Sequence, residues 1–178
     1  RVLPAGLLLV LVGRRRSTWR PTGREWGRTG LLAICNFGLF LPLLEGAVYR
    51  LPGGVAAAAG GTQPILVAAF SWAVVGRRPG AAELVVGMVA AFGVALVVVR
   101  PGAGLDAVGV AMALAANTSF ALGVVLTKRF PPPVDRLAAT GWQLAMAGVA
   151  LLALALVVEG APPSPTASNL LGVGYLSI

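Results

Sequence analysis

Long apolar runs broken by short polar connectors dominate the chain. Five runs are long enough to cross a bilayer as helices: 29–49, 54–75, 81–99, 107–127 and 137–158, since a hydrocarbon core about 30 Å thick needs about 20 residues in a helix rising about 1.5 Å per residue. Two shorter runs, 2–12 and 170–178, read as partial spans, so the sequence reads as a fragment whose ends lie inside helices. The connectors carry turn chemistry: Leu51-Pro52-Gly53, Arg78-Pro79-Gly80, Arg100-Pro101-Gly102, Pro131-Pro132-Pro133 and Pro162-Pro163-Ser164-Pro165,. A helix satisfies its own backbone hydrogen bonds in hydrocarbon, and most of the connectors are short. The pattern therefore predicts an all-α, polytopic transmembrane bundle with antiparallel neighbours.

Polar residues inside these runs break the pattern where a span should be most regular. In "VAAAAGGTQPILVAAFSWAVV", Gly60, Gly61, Thr62, Gln63 and Pro64 sit mid-span. Pro64 removes a backbone donor and frees the carbonyl near Gly60, so a helix break is expected there. Gly60 and Gly61 suit either close helix packing or a cavity wall, while Gln63 favours a cavity, because an amide in hydrocarbon must find partners. In the preceding run Cys35, Gly38, Pro42, Glu45 and Tyr49 recur at helical spacing, with Asn36 beside them, and predict one small or polar face,. Glu45 lies deeper inside a span than any other carboxylate, though near its end. It is either a counter-charge or proton-coupling group, or a side chain reaching the headgroups or Arg50. In 107–127 the knot Asn117, Thr118 and Ser119 makes Asn117 the stronger binding candidate, since hydroxyls can bond back to their own helix,. Trp142-Gln143 and Trp72 lie near span ends, where an indole anchors at the interface,.

Composition agrees with a lipid solvent. The 178 residues are 57% hydrophobic and 11% charged, with mean hydropathy +0.86. A net charge of +8 would raise nucleic-acid binding in a soluble protein,. Here the cations fall in connectors: alternating these between two sides puts Arg14, Arg15, Arg16, Arg20, Arg24, Arg28, Arg77, Arg78, Lys128, Arg129 and Arg136 on one side and only Arg1, Arg50 and Arg100 on the other. The rich side is expected to be cytoplasmic. One cysteine and no histidine exclude a disulfide framework, a cysteine metal cluster and a histidine relay for this stretch,. No nucleophile elbow, P-loop or pair of intramembrane carboxylates appears, so neither an enzyme nor an ATP-driven pump is expected. The Ala, Gly, Val and Arg bias points to a bacterium with GC-rich DNA.

A weak internal repeat is also visible. "GLLAICNF" (30–37) lines up with "NLLGVGYL" (169–176) at an offset of 139 residues, which also places Arg1 on Thr140. An odd number of spans separates the copies, as in an inverted-topology repeat.

The stretch "YRLPGGVAAAAGGTQPILVAAFSWAVVGRRPGAAELVVGMVAAFGVALVVV" resembles the EamA module of the drug/metabolite transporter superfamily, on Tyr49, Leu51, Pro52, Gly54, Gln63, Pro64, Gly76, Gly87, Gly93 and Val94. The later "LGVVLTKRFPPPVDRLAATGWQLAMAGVALL" is similar to its amino-acid-metabolite and pigment exporters. The resemblance implies a ten-helix inner-membrane carrier of two inverted five-helix repeats working by alternating access. Residues 1–99 would end the first repeat and 107–178 begin the second. Members often carry Gly-Glu-Arg or Gly-Glu-Lys after the fourth helix; here Gly76 is followed by Arg77 and Arg78, which leaves a local ion pair without its glutamate.

Exporting small metabolites is the expected function, with a non-transporting scaffold as the alternative. Asn36, Glu45, Gln63, Pro64, Asn117 and Ser119 are the expected substrate-binding residues, and Gly60, Gly61 and Pro64 the expected break. A small-molecule substrate and membrane lipids are the expected partners, without nucleic acid, cofactor or metal, and a homodimer stays open.

Overall fold

A computed structural model describes residues 2–16, 22–98, 106–131 and 136–158. The helices are α1 (Val2–Arg16), α2 (Arg24–Ala33), α3 (Phe40–Arg50), α4 (Gly53–Ala59), α5 (Gln63–Val75), α6 (Ala81–Val98), α7 (Ala107–Arg129) and α8 (Arg136–Val158). A π-helical turn, Ile34–Gly38, follows α2, and a 3-10 turn, Gly60–Thr62, joins α4 to α5. No strand occurs among the described residues. Four helical stretches are long and apolar enough to span a membrane: Arg24–Arg50, Gly53–Val75, Ala107–Arg129 and Arg136–Val158. The third expected span starts at Ala81, but its apolar stretch, Ala81–Leu96, belongs with Val2–Gly13 among the shorter ones. The connectors around Arg100 and Pro163, and the second copy of the repeat at 169–176, lie outside the described residues.

The chain forms two compact units. The first holds α1, α2 with its π turn, and α8. Here α1 and α8 run antiparallel at a separation only glycine allows. A Cβ on Gly6 would stand 2.6 Å from the Ala145 amide nitrogen, and one on Gly141 2.9 Å from that of Val10. Likewise a Cβ on Gly13 would meet the Ala138 Cα at 3.0 Å, and one on Gly148 the Leu3 Cα at 2.8 Å. Gly6 and Gly13 on α1 and Gly141 and Gly148 on α8 share a spacing of seven residues, which puts the two pairs at matching stations 135 positions apart. In hydrocarbon, small residues that admit close backbone approach supply the packing that water would otherwise drive. The indoles of Trp26 and Trp142 meet edge to face, with centroids 5.5 Å apart.

The second unit holds α3 to α7. Its core is Ala47, Leu51, Val55, Ala56, Ala59 and Ala113, with Val110 and Met112 against it. Asp106 starts α7 by accepting the Val108 N–H at 3.0 Å, a side-chain N-cap,. Gly76 ends α5 in the left-handed region (φ 75°), its N–H bonded to the Trp72 carbonyl at 3.0 Å,.

In both units the buried apolar positions are mostly alanine, while leucine, valine, methionine and phenylalanine such as Leu11, Met88, Phe92 and Leu152 face outward. A water-soluble fold arranges these sizes the other way round, so this distribution suits a lipid surround.

Candidate functional site

The break in the second span has a local cause. In an uninterrupted α-helix the Gly60 carbonyl would accept from residue 64, but Pro64 has no N–H. The Gln63 N–H takes that carbonyl instead, one residue early, so the backbone tightens into the 3-10 turn,. Thr62 Oγ1 adds a 2.7 Å bond to the Ala59 carbonyl. The expected break thus stands where proline chemistry puts it, with the Ala59 and Gly60 carbonyls still satisfied.

This break opens onto a cleft of about 690 Å³ among α5, α6 and α7. Gly60, Gly61, Gln63 and Pro64 form one end of it. Val67, Val86, Phe120 and Val124 make an apolar middle, and Arg77, Glu83 and Lys128 come from the other ends of the same three elements. Helical spacing explains the wall, since Phe120, Val124 and Lys128 recur every fourth residue on α7,. Gln63 Nε2 donates to Asn117 Oδ1 at 3.0 Å, and Asn117 Nδ2 donates to its own Ala113 carbonyl at 2.8 Å. Asn117 is buried, and its two bonds hold the Gln63 amide at the cleft's inner end.

Of the expected binding residues, Gln63, Pro64, Gly60 and Gly61 line this cleft and Asn117 joins them through Gln63. Ser119 is half-buried on α7 and does not line it. Glu45 is exposed on α3, also outside the lining. Its suggested partner Arg50 is taken by Asp106, with Nη1 and Oδ2 2.8 Å apart. Asn36 lies in the first unit, buried in the π turn, where its Nδ2 donates to Gln143 Oε1 at 3.2 Å. The π turn Ile34–Gly38 interrupts the spacing on which the single polar face expected from Cys35 to Tyr49 rests. That spacing presumes 3.6 residues per turn throughout, and the π turn breaks the count.

Several contributors went unrecognised in the sequence. Gln143 sits beside a tryptophan near a span end, which suggested the interface, yet it is buried against Asn36. Arg77 and Lys128 read as topology-setting charges, and nothing in the sequence singles out Glu83. The ion pair that Gly76-Arg77-Arg78 seemed to lack exists, because Glu83 supplies the carboxylate: Arg77 Nη2 is 2.7 Å from its Oε1. Glu83 also accepts the Gly80 N–H at 3.3 Å, half of a capping box at the start of α6,. The i+4 recurrence ending at Lys128 was the signal available. Among the described residues no group of histidine, cysteine or acidic side chains could hold a metal.

Comparison with known proteins agrees with a membrane carrier. The profile of the EamA-like transporter family matches residues 1–99. Protein PecM of Dickeya dadantii is 36% identical over 180 residues, covering all of this chain and 59% of that protein. The uncharacterized transporter sll0355 of Synechocystis is 30% identical over 181 residues, covering 91% of the chain and 54% of the relative. The uncharacterized transporter YvbV of Bacillus subtilis is 32% identical over 153 residues, covering 85% and 50%. The chain thus spans between half and three fifths of the length of these relatives. No solved structure matches it significantly. A multi-pass integral protein of the inner membrane, the chain belongs to the EamA-like transporter family.

Proposed function

We propose that the chain forms part of a secondary transporter that exports small metabolites, amino-acid derivatives among them, by alternating access. The observation that carries this reading is the cleft at the broken span, where Gln63 is held by Asn117 at one end of a mostly apolar wall. Transporter sites concentrate at interrupted helices, and few convergent polar groups in an apolar pocket fix a ligand's orientation. In this reading Gln63 hydrogen-bonds the solute and Gly60, Gly61 and Pro64 form a flexible break. Asn117 orients the Gln63 amide toward the solute. Residues 1–99 end one five-helix repeat and 107–178 begin its inverted copy. The glycines of α1 and α8 match at an offset of 135, which differs from the 139 between 30–37 and 169–176. The arginine-rich connectors face the cytoplasm.

Counterflow in proteoliposomes carrying the full-length protein tests the function with an amino-acid and amine panel. Gln63→Leu should lower flux about five-fold, the worth of about 1 kcal/mol of hydrogen bonding, while leaving membrane expression intact. No counterflow of any panel member, or an equal loss of flux and expression, would instead favour a scaffold in which the amides only join helices.

A further inference from the structure

The charged end of the cleft carries a feature that helix packing does not require. Arg77, Glu83 and Lys128 converge there from the connector after α5, the first turn of α6 and the last turn of α7. Glu83 is satisfied by Arg77 and by the Gly80 N–H. Among the described residues, Lys128 is joined to no hydrogen-bonding or ionic partner, and its ammonium has three donors,. Two cations against one carboxylate leave one positive unit. The helix ends nearby, two C-termini and one N-terminus, return about half a unit of negative charge, so the end remains positive. From this end an apolar wall of Val124, Phe120, Val86 and Val67 leads toward Gln63. Phe120 and Lys128 are about 12 Å apart along the α7 axis, at about 1.5 Å per residue. Charge at one end, apolar surface between and an amide at the far end describe the complement of a bipolar solute.

We infer that the cleft takes a free amphipathic anion, its carboxylate at Lys128 and its apolar body along Phe120, Val124, Val67 and Val86. The inference rests on the cleft being the solute site and adds the sign of the charge. Lys128 is exposed, so a carboxylate meets it as a surface ion pair of modest strength, steered by the apolar contacts of the solute's body,. An uncharged analogue keeps the apolar contacts and loses this one. Arg129 is exposed in the same helical turn but lies outside the lining, so it serves as the matched control.

The test is calorimetric titration of the full-length protein in phosphatidylcholine nanodiscs, with empty discs subtracted, using 3-phenylpropionate and its uncharged amide. The acid should bind about three-fold more tightly than the amide, equivalent to about 0.6 kcal/mol. Lys128→Gln should erase that gap by weakening the acid alone, whereas Arg129→Gln should preserve it. Equal binding of acid and amide, no binding of either, or equal effects of the two substitutions would overturn the inference. So would loss of acid binding in discs containing phosphatidylglycerol, since the positive end would then be serving a lipid phosphate. Counterflow with no preference for acid over amide would remove this inference and leave transport standing. Acid-selective binding without counterflow would do the reverse.

Discussion

Asp106 uses one carboxylate for two tasks, capping α7 through the Val108 N–H and pairing with Arg50. Both favour its ionised form. The Arg50 hydrogen bond, first, and the Val108 amide hold its carboxyl below the ordinary value,. A carboxylate with a folded-state pKa depressed below the unfolded one contributes its stability fully above the unfolded value, about 3.9, and loses it as pH falls through the folded value. Exchange of the Val108 amide should therefore be slow and insensitive to this group above that range and should accelerate below it, after correction for intrinsic exchange. Asp106→Asn, which keeps an N-capping side chain, should flatten that acid limb; an unchanged limb would mean another group governs it. Little of this was readable beforehand, because Arg50 and Asp106 are 56 positions apart and read as residues of separate connectors. The hydroxyls were readable: Thr118 Oγ1 bonds the Leu114 carbonyl at 2.7 Å and Thr127 Oγ1 the Gly123 carbonyl at 2.8 Å, as short side chains on a helix in hydrocarbon should,.

At the scale of the element, the two interrupted spans differ in how openly the sequence declares them. The 3-10 turn at Gly60–Thr62 follows from one missing N–H, a property of Pro64 itself,. Pro64→Ala restores that donor, and Gly60 can then be reached from position 64 in an ordinary turn. We expect the variant to gain about 0.5–1.5 kcal/mol, the net worth of one hydrogen bond, as a higher unfolding midpoint in detergent, with flux reduced as the cleft loses its break. A lower midpoint would mean that the tight turn is imposed by packing. The π turn at Ile34–Gly38 has no such signature. No residue type encodes an inserted position, so a count of i+3 and i+4 spacings ran straight through it and joined Tyr49 to Cys35. The same turn holds Asn36 against Gln143, a buried pair whose partners are 107 positions apart and invisible to any local reading. The Arg77–Glu83 pair is hidden on a smaller scale, because its carboxylate comes from the following helix and not from the residue next to Gly76.

For the molecule as a whole, class and solvent were legible because they are sums over many residues: a mean hydropathy of +0.86 and repeated spanning runs survive any local error. The cleft was half legible, its amide end marked by Gln63 and Asn117 and its charged end hidden among cations credited to topology. The contact between α1 and α8 has a further consequence. Its glycines occupy interchangeable stations, so the protein should be unable to tell on which helix a methyl group has been placed. Gly6→Ala and Gly141→Ala should depress the unfolding midpoint equally, each through an overpacking penalty of about 1–3 kcal/mol. Combining them should cost less than the two losses added together, because once the helices have been wedged apart the second methyl finds room already made.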